Sequence, residues 1–210
     1  MITEMMLDEL RESVSSGMSP KRFRHTAEVE KMAARLAELY APDRTAELRA
    51  AALLHDLTKE YSTELQIKIC AERDVELDAD ALYAPKTLHA RTAAVLLSER
   101  FPQFATEMIT ECVRWHTTGR EGMTIEEKII YLADYIDMSR TFEDCVKLRE
   151  YFFSAHPEEM NESERAAHLR RTLIMSFDMT AAALLEEGLP ISVDTVRARN
   201  QLVREELSQK

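Results

Sequence analysis

In the stretch AALLHDLTK an apolar run turns abruptly polar, and His55 and Asp56 stand at the turn. Burying an isolated carboxylate costs several kcal/mol unless it is paired or bound to a cation. Neighbouring side chains on a helix diverge by ~100°. The two residues can therefore approach one ion from two directions, or Asp56 can bridge two ions. Asp134 repeats the anomaly within IIYLADYI. Four of the six histidines, His25, His55, His89 and His116, fall on or at the ends of four separate apolar-faced segments. One histidine on such a face reads as core; four beside misplaced aspartates read as a site. Mixed imidazole and carboxylate ligation suits Fe, Zn, Mn or Ni more than Mg or Ca. The absence of cysteine from the set points away from structural zinc. An ion so held lowers the pKa of water from ~15.7 toward 7 and takes up charge on a phosphoryl oxygen.

Cations for a phosphate chain are at hand. Lys59 follows Asp56 in an HDxxK pattern, and Arg140, after the Asp134 segment, can offer a bidentate fork. Thr117 and Thr118 add hydroxyls beside His116, and Arg24 adjoins His25. Other candidates carry plainer readings. Trp115 suits stacking on a base or a cleft wall, Cys112 a core thiol, and the acidic stretch from Glu72 to Asp80 a solvated face. His156 and His168 lie in polar surroundings and read as surface residues, while Arg199 and Asn200 can tie down the last helix.

The elements that must position these residues are helices. Only 4 glycines occur in 210 residues, against the usual ~7%, so few turns or bulges of a β protein can be built. Apolar spacing of three and four predicts a short helix through Met5, Met6, Leu10 and Val14, then one over 20–40 that Pro42-Asp43 breaks. Leu48, Ala51, Ala52 and His55 share a face that ends near Asp56. Thr63 with Gln66, Thr124 with Glu127 and Asn161 with Glu164 read as capping boxes. Further helices are predicted over 86–100, through Ile109–His116 with Gly119 as terminator, from Asn161 to Glu187, and from Asp194; residues 74–85 read as irregular.

A formal net charge of −11 disfavours a long nucleic-acid partner, though a local cluster of cations still suits a small nucleotide. Cys70, Cys112 and Cys145 share no paired spacing and read as reduced thiols. No run of 18 apolar residues and no signal-peptide pattern occurs, so no membrane role is expected and the cytoplasm is the default location.

The order His25, His55-Asp56, Asp134 resembles the H…HD…D signature of the HD phosphohydrolase superfamily. RHTAEVEKMA, HARTAAVLL, WHTTG, MTIEEKIIYLADYID and DTVRARN extend the resemblance, over roughly residues 20–205, to its YqeK-type members. That resemblance implies an all-α HD-domain helical bundle: an N-terminal helix over 1–19, a phosphohydrolase core over 20–140, and C-terminal helices over 141–210 packing on the same domain. It implies symmetrical hydrolysis of diadenosine tetraphosphate to two ADP, with an HD-type nucleotidase or a non-catalytic nucleotide-binding module as alternatives. It assigns His25, His55, Asp56 and Asp134 to iron, Fe2+ or Fe3+, with Mn, Zn, Co or Ni as substitutes. Asp56 and Lys59 are then catalytic, and Lys59, His89, His116, Thr117 and Arg140 bind substrate. His89 and His116 either hold a second ion or touch a phosphate directly. A homodimer is compatible with the family pattern. One departure stands out: the family usually has Glu-Pro before Arg140's segment, and this chain has Asp137-Met138.

Overall fold

Side-chain oxygens decide where most helices begin. Thr3, Ser19, Ser62, Thr106, Thr124 and Asn161 each accept an otherwise orphaned backbone N–H from the first turn. The computed structural model describes residues 1–77 and 79–209. The α-helices are α1 (Glu4–Ser16), α2 (Pro20–Tyr40), α3 (Thr45–Leu54), α4 (Thr63–Glu72), α5 (Ala79–Tyr83) and α6 (Leu88–Arg100). They continue as α7 (Glu107–Trp115), α8 (Ile125–Ile136), α9 (Glu143–Ser154), α10 (Glu162–Glu186) and α11 (Val193–Ser208). No strand occurs among the described residues. The all-α expectation holds. No helix there is long and apolar enough to cross a membrane.

α3 is the hub. Leu48 and the whole run from Ala50 to Leu54 are fully buried, as expected of a helix that is apolar nearly all round. Its alanines let α2 approach closely, while α1, α7 and α8 pack on its other sides. α6 pairs with α7, and α10 carries α9 and α11. A buried carboxylate fastens the first three helices. Glu30 on α2 accepts from Arg11 of α1 at 2.9 and 2.6 Å and from Arg49 of α3 at 3.0 Å.

The bounds of α2 and the capping boxes of α8 and α10 match their sequence signals. Four expectations need correction. Thr63 and Gln66 form no capping box: the helix starts one residue earlier, so Ser62 accepts the Leu65 N–H and the Gln66 amide donates to Tyr61 O instead. The buried face of α1 is Leu7, Leu10 and Val14, not Met5, which is 68% exposed. The 74–85 stretch contains α5 and a 3-10 turn at Pro85–Thr87. α9 was not expected, because its N-cap is Phe142, which makes no side-chain capping bond and leaves no polar start signal. The acidic 72–80 stretch does expose Glu72 and Glu76; residue 78 lies outside the described residues.

His168 is also corrected. It is buried, not on the surface: its ring stacks on Phe152 and its Nε2 lies 2.9 Å from Phe152 O. Cys112 is a core thiol that burial pushes well up. Arg199 bonds Asp178 of α10 at 2.7 Å and so ties α11 down.

Gly119, three residues beyond His116, sits at φ +63 with Phe177 Cζ 2.8 Å from where a Cβ would stand. Gly119→Ala adds a left-handed alanine, about 1–2 kcal/mol, to overpacking of about 1–3 kcal/mol. Gly122→Ala, at φ +77 with nothing within 4 Å, carries the first cost alone. Denaturant unfolding should rank Gly119→Ala below Gly122→Ala, and equal stabilities would contradict that packing.

Candidate metal centre

Two histidines are aimed by the same local device. Helix ends leave carbonyls without intrahelical partners. His55 caps α3 with Nδ1 2.6 Å from Ala52 O, and His116 caps α7 with Nδ1 2.7 Å from Val113 O. Donating from Nδ1 leaves the lone pair on Nε2, the form in which imidazole ligates a metal. His25, on the first turns of α2, has Nδ1 3.2 Å from Ser139 Oγ and 3.3 Å from Asp137 Oδ2. Its Nε2 is thereby turned to the same space.

That space is a line of donors around Asp56. His25 Nε2 lies 3.0 Å from Asp134 Oδ1 and 3.7 Å from Asp56 Oδ2. His55 Nε2 lies 3.4 Å from Asp56 Oδ2 and 3.8 Å from Asp134 Oδ1. The other Asp56 oxygen faces the opposite way, 3.1 Å from His89 Nε2 and 3.9 Å from His116 Nε2. Donor atoms of His25, His55 and Asp134 fall within 4.8 Å of one another, as do those of His55, Asp56 and His116. Nε2 of His25 and of His55 are buried and make no aligned hydrogen bond. Buried polar atoms are normally satisfied; two orphaned imidazole nitrogens converging on two carboxylates fit a bound cation.

The charges are graded across the site. For His25, burial disfavours the imidazolium, but Asp134 and Asp137 outweigh it and push the pKa up to about 9. At the other end, burial, then His89 and His55, drive His116 well down toward the neutral form. Burial alone would raise Asp56, yet His55 and His89 hold it well below the usual carboxylate range. Asp134 is likewise held down against its burial, chiefly by Arg140.

Lys59 follows Asp56 in a tight turn, with its N–H bonded to Asp56 O at 3.0 Å. Side chains three apart eclipse in such a turn, which points Lys59 to the same side as Asp56; Nζ lies 3.2 Å from His89 Nε2, itself 3.1 Å from Asp56 Oδ1. Burial pushes Lys59 down despite the pull of Asp56 and Asp134. Arg140 donates to Asp134 Oδ1 at 2.5 Å and to its carbonyl at 2.9 Å. Thr117 Oγ1 lies 3.0 Å from His116 Nε2 and 3.3 Å from His89 Nε2.

The structure thus brings together His25, His55, Asp56, Lys59, His89, His116, Thr117, Asp134 and Arg140. Arg24 is exposed and turned away. The arginine at the site is Arg22, whose guanidinium donates to Asp56 Oδ2 at 2.6 Å. The signal was available: Arg22 is three residues from His25 and shares its helix face, whereas Arg24 diverges from it by about 100°. Asp137 was also missed, a fully buried carboxylate behind His25. Trp115 bonds Glu111 at 2.9 Å and lies beside Arg114 and Arg120.

The HD domain family model matches residues 22–139. A protein named "Bis(5'-nucleosyl)-tetraphosphatase, symmetrical" from Halalkalibacterium halodurans is 31% identical, over 92% of this chain and 95% of that relative. Its namesake from Bacillus subtilis is 32% identical, over 95% and 98%. Among solved structures, a "predicted HD superfamily hydrolase involved in NAD metabolism" from Clostridium acetobutylicum superposes with a TM-score of 0.80 at 30% identity. That match covers 94% of this chain and 97% of the other.

Asp134→Ala and His55→Ala should each purify with little transition metal by elemental analysis while far-UV circular dichroism stays helical. Asp137→Asn keeps an acceptor for the Ser139 N–H but removes the charge behind His25, so chelator competition should show metal affinity roughly 10–100-fold weaker. Wild-type metal content in Asp134→Ala would contradict the ligand set.

Proposed function

The chain belongs to the HD domain family, and on that premise we propose that this enzyme hydrolyses diadenosine tetraphosphate at its central anhydride, giving two ADP. HD domains bind divalent metals, and we assign the ion to His25, His55, Asp56 and Asp134. The observation that carries this is the pair of buried, orphaned Nε2 atoms facing two carboxylates. Iron suits that donor set, with Mn, Zn, Co or Ni able to substitute. When bound, the ion supplies Lewis acidity toward a phosphoryl oxygen and lowers the pKa of water.

The chain's own residues supply the rest. Phosphoryl transfer needs positioned cations around charge that spreads over the equatorial oxygens. Lys59 sets its ammonium against His89, next to Asp56. Arg140 spends two donors on Asp134, and a guanidinium has five, so donors are left for a phosphate. Arg22 extends the same row from α2. His89 and His116, with Thr117 between their Nε2 atoms, form the second face of Asp56. There they suit either a phosphate or a second ion. Water adds to one central phosphorus, the bridging P–O bond breaks, and ADP departs with its charge already delocalised. The names of the two bacterial relatives support the symmetrical cut. The Clostridium protein is described as involved in NAD metabolism, so NAD, itself a dinucleotide anhydride, is a fitting comparison compound.

Chromatography of the products should give only ADP from diadenosine tetraphosphate; ATP plus AMP would contradict the proposal, as would faster turnover of NAD or AMP. Lys59→Ala should keep its metal and lose about 1.5–3 kcal/mol in kcat/KM, the worth of one charge-assisted contact. Unchanged kinetics would contradict a phosphate contact by Lys59.

A further inference from the structure

The turn that follows α8 carries three groups that set the metal centre from behind. Asp137 Oδ2 lies 3.3 Å and Ser139 Oγ 3.2 Å from His25 Nδ1, while Arg140 donates to the side chain and carbonyl of Asp134. Two bonds shape the turn from within. The Ser139 N–H donates to Asp137 Oδ1 at 2.8 Å, and the Arg140 N–H donates to Asp137 O at 3.2 Å. Met138 in the same turn is 61% exposed, so side-chain packing does little to hold it. Segments with few buried contacts lie at the low-stability end of a fold.

An arginine on the next helix clamps it. Arg149 Nη1 lies 2.6 Å from Asp137 O, 3.2 Å from Arg140 O and 3.5 Å from Ile136 O. α8 has no basic residue in its last turn, so Arg149 also brings positive charge to a helix end whose dipole favours it. Its own helix is firmly seated, with Cys145, Leu148 and Phe152 buried. We propose that Arg149 is a positioning residue of the metal centre: by fixing the Asp137–Arg140 turn it sets His25 and Asp134 together. It acts through backbone carbonyls and donates to neither ligand. The inference rests on the ion assignment made above. It gives α9, which lies beyond the residues 22–139 matched by the HD domain family, a part in the site.

A second arginine separates this role from general support of the fold. Arg165 makes the same kind of clamp elsewhere, donating to the carbonyls of Leu39, Met160 and Pro157 at 2.8, 2.9 and 3.1 Å. None of those residues belongs to the metal centre. Stripping either guanidinium leaves three carbonyls short of a donor. Only the loss of Arg149 releases the turn behind His25 and Asp134.

Competition for Co2+ between the protein and a chelator, followed by the visible absorption of the loaded protein, tests this without turnover. Arg149→Met keeps an apolar stem and removes the donors. It should weaken Co2+ binding about tenfold, the scale on which outer supports of a metal site act. Arg165→Met should stay within about twofold of the wild type. Added to Asp137→Asn, Arg149→Met should cost less than it costs alone, because both act through one turn. Co2+ affinity of Arg149→Met within about twofold of the wild type would overturn the role. Equal losses in Arg149→Met and Arg165→Met, or full additivity with Asp137→Asn, would overturn it too. Arg149→Gln, too short to span the three carbonyls, makes the same test under the same limits where Arg149→Met does not fold. The two proposals fail distinguishably. A wild type that takes up no Co2+ overturns the ion assignment itself; wild-type uptake with Arg149→Met unaffected overturns the positioning role alone.

Discussion

A carboxylate 4% exposed to solvent sits where five helices meet, and the rest of the molecule is organised around keeping it charged. Asp56 cannot hold its charge there unaided, since the effective penalty for burying an ion is several kcal/mol. Arg22 reaches it from α2, His55 from the end of α3, His89 from α6 and His116 from the end of α7, while Asp134 on α8 closes the ring. The alanine-rich α3 lets these helices come near enough. The helix-end carbonyls of Ala52 and Val113 then fix which nitrogen each imidazole presents.

The two faces of Asp56 are not equivalent. On one, Asp137 and Ser139 engage His25 Nδ1 and turn its Nε2 toward Asp134; on the other, His116 is buried among imidazoles and favours the neutral ring. Ring centroids 4.9 to 5.5 Å apart run from His25 through His55 and His116 to His89. The first face has two carboxylates and suits a cation held permanently. The second has one carboxylate oxygen, neutral imidazoles, Lys59 and Thr117. That asymmetry follows from which side chains support each histidine.

Much of this was legible in the sequence because the signals are local. Apolar spacing and Pro20 gave α2, and the Thr124 and Asn161 capping boxes gave α8 and α10. The dyad and the stranded Asp134 stood out because ionisable groups in apolar runs need partners. What stayed hidden depends on distant chain segments. Asp137 looked like a departure at a helix end, and only the fold shows its carboxylate behind His25, 112 positions earlier in the chain. Arg22 needed the helix face to be counted from His25 rather than read by adjacency. His168 looked polar because its neighbours in sequence are polar, but Phe152 covers its ring. Helix α9 begins at a phenylalanine and so lacked any start signal.

The central claim is that one transition-metal ion is held on the Asp134 face of Asp56. Anomalous diffraction at the iron edge, from crystals of anaerobically prepared protein, tests it most directly. The expected result is a strong peak within ligand distance, about 2.0–2.2 Å, of His25 Nε2, His55 Nε2, Asp56 Oδ2 and Asp134 Oδ1. A fully active protein whose only anomalous peak lies away from these four atoms would contradict the account.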